Sequence, residues 1–397
     1  MKRRKLGDIC SRLSSGKSIK AVEIKDSGSY PVIGGNGLRG YTEYFNFDGA
    51  CAVIGRQGAA CGNVHFYSGE AYMTEHAVVA VADESNDSHY LAYLLSTMNL
   101  GRLSAQSAQP GLSVKTLSKQ EIDLPSLEVQ RQVVRILGAL DDKIEANTKL
   151  NGYLEELLLV QFKALVPTDD WSEDRAESFF EIGIGKTPPR KEPKWFSNDR
   201  KGNCVWLSIK DMAKSGAYSL DSAEYLTLDA VKQKNVRKVP EGSVLLSFKL
   251  TVGRVKIAAC DMTTNEAIAC FSSNDSRRLA YVFPYLLTYD YSKLGSTSSI
   301  ATAVNSKTIK AMSITMPGDK ELDSFYELSK PLYGQMLCIA KENAKLGLLR
   351  DTLLPKLMSG EIDVSKVDLT QLNSHLSKCS SGSCCIFPAM AALPATK

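Results

Sequence analysis

The chain has 397 residues, 44% apolar and 23% charged, with a formal net charge of +4. That length and composition suggest two or three ordinary globular domains, and the charge is too mild to require or exclude a nucleic-acid partner, which local basic patches must decide. No run of eighteen apolar residues exists, so no membrane-spanning helix is expected; the basic start MKRRKLGDICSRL lacks the apolar core of a signal peptide, and a cytoplasmic protein is expected.

In chain order, KLGDIC predicts one turn of amphipathic helix, followed by SSGKS at residues 14–18. Gly-Lys-Ser is the tail of a phosphate-binding loop, and GIGKT at residues 183–187 is a second copy. Such a loop needs a further glycine five residues earlier, after an apolar strand and before a helix, so that bare N–H groups wrap the phosphates. Ser11 and Phe180 stand at those positions, and Pro188 and Pro189 forbid a helix starting on Thr187. Both copies fail the test, leaving a glycine-containing turn used twice. Of the ten cysteines, none forms a C-x-x-C pair or neighbours a histidine at ligand spacing. No metal is expected, and most of them read as small apolar residues in a reduced protein.

Several short strands separated by glycine turns follow, and they recur. SVKTLSKQEIDLPS from Ser113 matches NSKTIKAMSITMPG from Asn305, with Lys115 meeting Lys307 at an offset of 192. AVIGRQGAACGNVHF matches VLLSFKLTVGRVKI, with Gly62 meeting Gly253, and MTEHAVVAV matches TTNEAIACF, with Thr74 meeting Thr264. Gly16 and Gly185 are only 169 apart, so the second unit carries an early insertion, assigned to the charged stretches PRKEPKWFSNDRKG and KQKNVRKV.

Each unit ends in a strand closed by Pro125 or Pro317 and then a long helical pattern. In the first, Val133, Leu137, Leu140, Ile144, Asn147, Asn151, Leu154, Leu158, Gln161 and Leu165 alternate steps of three and four, an a/d seam. In the second the seam is Phe325, Ser329, Leu332, Met336, Ile339, Asn343, Leu346, Arg350, Leu353 and Leu357. Asn151 and Asn343 coincide at the repeat offset, and a buried Asn can fix register. Pro331 predicts a kink or restart, and Gly138 weakens the first helix. Helices of forty residues would span roughly 60 Å. The expected fold is α/β (α+β): two tandem domains with twisted sheets, joined and spaced by two long antiparallel coiled-coil-like helices with pseudo-two-fold symmetry. The expected division is 1–125, a helical spacer 126–167, 168–317, a second helix 318–364 and a flexible Ser/Cys/Ala-rich tail 365–397.

LPSLEVQRQVVRILGALDDKIEANTKLNGYLEEL (residues 124–157) and LGLLRDTLLPKLMSGEIDV (residues 346–364) resemble the two conserved helices of type I restriction-modification specificity subunits. YPVIGGNGLRGYTEYFNFDG, VIGRQGAACGNVHF and IGIGKTPPR resemble that family's target recognition domains. The resemblance implies a subunit that reads a split duplex DNA sequence, one half per domain. Its helices would dock two methyltransferase (modification) subunits. S-adenosylmethionine, ATP and magnesium would sit on those and on restriction/translocase subunits, and this chain would catalyse nothing. The sequence carries no Asn-Pro-Pro-aromatic motif for amino methylation; TPPR lacks both the Asn and the aromatic.

A DNA reader needs Lys/Arg for phosphates and Arg, Lys, Asn, Gln or Ser/Thr for base edges. The candidates in the first unit are Asn36, Arg39, Tyr41, Arg56, Gln57, Asn63, His65 and Lys115. In the second they are Lys191, Trp195, Lys210, Lys249, Arg254, Lys256 and Lys307. The bland reading of each is a solvated turn residue, or for Trp195 the anchor of a small satellite core. The helix-helix spacer is assigned to Leu137, Leu140, Ile144, Asn151, Leu154, Leu158, Leu332, Met336, Ile339, Asn343, Leu346 and Leu353. A two-module protein-interaction scaffold without sequence-specific DNA binding is the alternative, and convergence of basic residues would discriminate against it.

Overall fold

The computed structural model describes residues 2–104, 111–294 and 304–364. The expected tail 365–397, with Cys379, Cys384 and Cys385, lies outside the described residues. The chain is mixed helix and sheet, and divides into two compact units, cut at 143/144 and 345/346.

In the first unit, Lys2–Lys5 pairs antiparallel with Glu121–Leu124, and Arg3 grips Asp123 through two hydrogen bonds of 3.1 and 3.2 Å. The expected N-terminal helix is only a 3-10 turn, Leu6–Asp8. Tertiary pairing claims the backbone instead: Leu6 N–H donates to Gln120 O and Ile9 O accepts from Asp83 N–H, both at 2.8 Å. A four-stranded antiparallel sheet follows, in the order Cys10–Ser15, Ala77–Ala82, Ala50–Gly55 and Val64–Ser68. Its two central strands are apolar on both faces, and the period-2 alternation sorts them into two cores. Ala52, Ile54, Val78 and Ala80 pack with the helices; Cys51, Val53, Ala77 and Val79 pack with Ile33, Phe47 and Met73 beneath a three-stranded sheet. That sheet is ordered Gly37–Thr42, Tyr30–Gly34, Tyr72–Met73. Helix Ser88–Thr97 is capped by Asp87, which accepts from His89 N–H at 2.8 Å and Tyr90 N–H at 3.0 Å.

The second unit repeats this plan. Ser172–Arg175 pairs with Ser313–Met316, and a five-stranded sheet runs Glu181–Ile184, Ile268–Ser272, Val244–Ser247, Val255–Ala258, Tyr218–Ser219. A second sheet runs Phe196–Ser197, Tyr225–Thr227, Asn203–Leu207, Thr263–Thr264. Helix Ser276–Thr288 is capped by Asp275 as its counterpart is by Asp87. The first charged stretch assigned to the insertion supplies the turn Pro193–Trp195, and the second begins in the last turn of the helix Leu228–Gln233, whose Ala230 and Val231 pack with Trp195, Trp206, Leu226 and Val236 in a separate cluster.

The doubled Gly-Lys turn has a structural cause. Each Gly-Lys follows a strand, Cys10–Ser15 or Glu181–Ile184, and the expected helical turn in KLGDIC is confined to the 3-10 turn Leu6–Asp8 ahead of the first of them. No helix follows SSGKS before the single 3-10 turn Ala21–Glu23. A Cβ on Gly16 would collide with the Met73 and Thr74 carbonyls, and one on Gly185 with Thr264 and Asn265. The following N–H then donates to the facing strand: Lys17 to Met73 O at 2.9 Å, Lys186 to Thr264 O at 2.8 Å. Thr74 and Thr264 are both fully buried, so this matched pair marks the packing point of the turn.

The long helices are Leu127–Lys163 and Asp319–Ser359. Every seam position is buried or half-buried. In the first unit Val133, Leu137, Leu357 and Met358 join one core. A polar chain ties the Ser88–Thr97 helix to them: Tyr93 Oη donates to Asp141 at 2.5 Å, and Arg350 Nη1 to the same carboxylate at 2.9 Å. In the second unit Asn147 meets Asn343 while Phe162 meets Phe325 at 6.2 Å between ring centroids, so the helices run antiparallel there. Across the seam the amide of Asn147 pairs with half-buried Asn343, while Asn151, the repeat equivalent of Asn343, is buried at its own seam position. The helix does not restart at Pro331; it is unbroken from Asp319 to Ser359. Pro331 is exposed, where water can satisfy the freed carbonyl, and Phe325, Tyr333 and Met336 hold the flanking turns in the core.

Candidate nucleic-acid interface

In the first unit the turn between Tyr30–Gly34 and Gly37–Thr42 presents Asn36, and the loop after Ala50–Gly55 returns through Asn63 to His65. These three line one open cavity of about 670 Å³ with Cys61, Ser96, Thr97 and Asn99. Glycine permits the shape: Gly62 has φ +84° and lies against the Gly101 backbone, so no side chain fits there. His65 Nε2 is buried without a partner, and burial lowers the imidazole pKa, which favours the neutral ring. Arg39 and Gln57 are exposed outside this cavity. Tyr41 is half-buried and bonds Lys25 through its backbone in both directions, at 2.8 and 2.9 Å. Arg56 is half-buried with Nη1 3.5 Å from Ser15 Oγ. Lys115 is exposed on a short helix, Val114–Ser118, capped by Ser113, and Lys307 sits likewise on Ser306–Lys310, capped by Asn305. The two lysines thus occupy matching short helices, and Lys115 stands outside the cavity that Asn36, Asn63 and His65 share.

In the second unit an open cavity of about 300 Å³ is lined by Lys214, Gly216, Gly253, Arg254, Lys256 and Glu155, among others. Gly253, Arg254 and Lys256 stand at the repeat offset from Gly62, Asn63 and His65, so the two cavities are equivalent places in the two units. Lys307 is not among the residues of this cavity. Lys210 and Lys249 are exposed, and Lys191 is exposed on the inserted stretch. Arg254 is half-buried, donating from Nη1 to Ile209 O at 2.8 Å.

Two candidates are corrected. Lys256 is buried, its ammonium committed to the Lys214 carbonyl at 2.6 Å and to the Gly216 carbonyl, with its pKa lowered by burial and partly restored by Glu155. It fastens the 214–216 loop and is not free for a phosphate. Trp195 is 5% exposed in the satellite core, with the Lys194 and Lys234 ammonium groups 4.5 and 4.7 Å from its ring centroid; it anchors its loop. Sequence reasoning missed Ser96, Thr97, Asn99, Lys214 and Glu155. Asn99, at φ +47°, follows a helix that gives no outward sign of a site, and Glu155 lies on the seam helix. Among the described residues no group of three or more His, Cys, Asp or Glu converges as a metal site, and no helix is long and apolar enough to cross a membrane.

Two repeated sheet-and-helix units, each with an equivalent polar cleft and each containing part of both long helices, define a paired recognition module. The family model for the type I restriction modification DNA specificity domain matches residues 1–156 and again 168–324, and the chain belongs to that family. The EcoprrI specificity subunit of Escherichia coli is 38% identical over 154 residues, a match that spans 38% of each chain. The MjaIX specificity subunit of Methanocaldococcus jannaschii is 26% identical over 312 residues, 70% of each chain. Specificity subunits are non-catalytic. The S subunit of a type I restriction-modification system from M. genitalium shares the fold, with a TM-score of 0.56 at 14% identity, over 90% of this chain and 95% of that one.

Proposed function

We propose that the chain reads a bipartite duplex DNA target, one half with each unit, and docks methyltransferase and restriction subunits through its long helices. The observation that carries this reading is the equivalence of the two clefts at one offset in a chain of the specificity family, with Arg39, Lys210 and Lys249 exposed elsewhere on the same units. Amide, hydroxyl and imidazole groups supply base-edge partners, and the exposed cations supply phosphate contacts. S-adenosylmethionine, ATP and magnesium are assigned to the partner subunits. The chain by itself transfers nothing.

The test is co-purification with candidate modification subunits, then sequencing of methylated adenine in cells expressing them. Methylation at a split motif that disappears on deletion of this chain is expected. Association without any motif would refute the reading in favour of a protein scaffold. Charge removal at Arg39, Arg56, Lys249 and Arg254 should weaken binding and flatten its salt dependence, by about one unit of slope for each phosphate no longer neutralised.

A further inference from the structure

The turn between strands Val244–Ser247 and Val255–Ala258 holds an arrangement that stability does not ask for. Leu250 is 98% exposed, the most exposed large apolar side chain among the described residues, and its φ is +62°. A residue with a Cβ is sterically penalised there, and such strain persists only where the surroundings enforce it. They do so here. Thr251 N–H donates to Lys249 O at 2.7 Å, closing a three-residue turn around Leu250. Ser247 Oγ donates to Thr251 O at 2.6 Å and accepts from Arg254 N–H at 3.0 Å. Phe248, 1% exposed, pins the base of the turn in the core, and its N–H donates to Ala267 O at 2.9 Å. Val252 adds a second, 39% exposed apolar side chain. Lys249 and Arg254 flank the tip. At the offset relating Gly62 to Gly253, the first unit has Ala59 in place of Leu250, next to Gly58 at φ +68°. That segment is a 3-10 turn, Gly58–Ala60, and it carries no large side chain at this place.

We propose that Leu250 is an apolar wedge which the second unit presses against a base step of its DNA half-site, unstacking it in part, while Lys249 and Arg254 hold the flanking phosphates. An aliphatic side chain held rigidly at the end of a strained turn, between cations, suits insertion at a base step, where a flexible polar loop does not. The first unit, with Ala59, reads its half without such a distortion. This inference rests on the DNA-reading function proposed above.

The experiment uses the full chain assembled with its modification subunits and duplexes carrying the methylated motif, with 2-aminopurine placed in turn along the half-site read by the second unit. The wild-type complex should raise the fluorescence at one step. Leu250→Gly should keep or raise the melting temperature, because glycine is unstrained at this φ, and should lose about tenfold in affinity together with the fluorescence rise. A merely structural role would lower melting and leave the signal intact. Wild-type affinity and signal in the glycine variant would overturn the wedge alone. Loss of subunit assembly with DNA binding retained would overturn it in favour of a protein contact. A wild-type complex with no split target would overturn the functional reading and the wedge together.

Discussion

Replacing Asn147 and Asn343 by alanine, singly and together, tests whether the helix seam of the second unit is held by a coupled polar pair. Asn147 is 4% exposed; its Nδ2 donates to Asn343 Oδ1 at 2.8 Å and to Glu342 Oε2 at 2.7 Å. Asn343 Nδ2 returns bonds of 3.3 Å to the Ile144 carbonyl and to Thr148 Oγ1. A buried neutral hydrogen bond contributes about 1 kcal/mol and one to a charged group about 1.5–3, so Asn147→Ala should cost about 2–4 kcal/mol. Asn343→Ala removes the shared bond and two long ones, and should cost about 1–3 kcal/mol. The pair shares one bond and one pocket, so the double variant should lose at least about 0.5 kcal/mol less than the sum. Thermal unfolding of the full chain, read as the transition of the second unit, should fall by about 2–4 °C per kcal/mol for a unit of this size. Additive effects within experimental error would refute the coupling. Costs below about 0.5 kcal/mol would mean that these amides are hydrated and do not define the register.

Gly16→Ala and Gly185→Ala should each destabilise their own unit, since the new methyl would meet strand carbonyls that cannot move without breaking a sheet; separate melting transitions would report this, and unchanged melting would dismiss the close-packing account. Trp195→Ala should cost about 3–5 kcal/mol in denaturant unfolding, as large-to-small core changes do, while leaving the salt dependence of DNA binding unchanged. Glu155 has its pKa raised above 4.5 by burial, opposed by the Lys256 charge. The unfolded chain releases this proton first, so stability falls as pH rises through the window just above 4.5. Glu155→Gln should remove that decline in a series of melts across the window, and an unaltered pH profile would refute it.

Much of the fold is legible in the sequence because it is periodic. The seam from Val133 to Leu165 can be read from steps of three and four, a direct consequence of the 3.6-residue repeat, whereas strands 50–55 and 77–82 read only as short apolar runs whose two faces the structure sorts into separate cores. The repeat itself needs only matched residues such as Lys115 with Lys307. The candidate site is less legible. Asn36, Asn63 and His65 stand out in glycine-rich loops and do meet, but Ser96, Thr97 and Asn99 reach the same cleft from the end of a helix. Lys256 and Trp195 mislead because a cation or an aromatic in a charged stretch looks exposed until its neighbours are known.

The sequence by itself determined two homologous units, the strand closed by proline before each long helix, the helical seam and the failed spacing of the phosphate loop, because covalent spacing sets backbone periodicity and glycine or proline sets where it stops. Only the tertiary structure decided why Gly-Lys occurs twice, that Asn147 partners Asn343, that Lys256 closes a loop, and that Leu250 stands in solvent at a strained φ. Those facts depend on contacts between residues tens to hundreds of positions apart. Burial, partner geometry and backbone strain arise from such contacts, and local spacing carries no record of them.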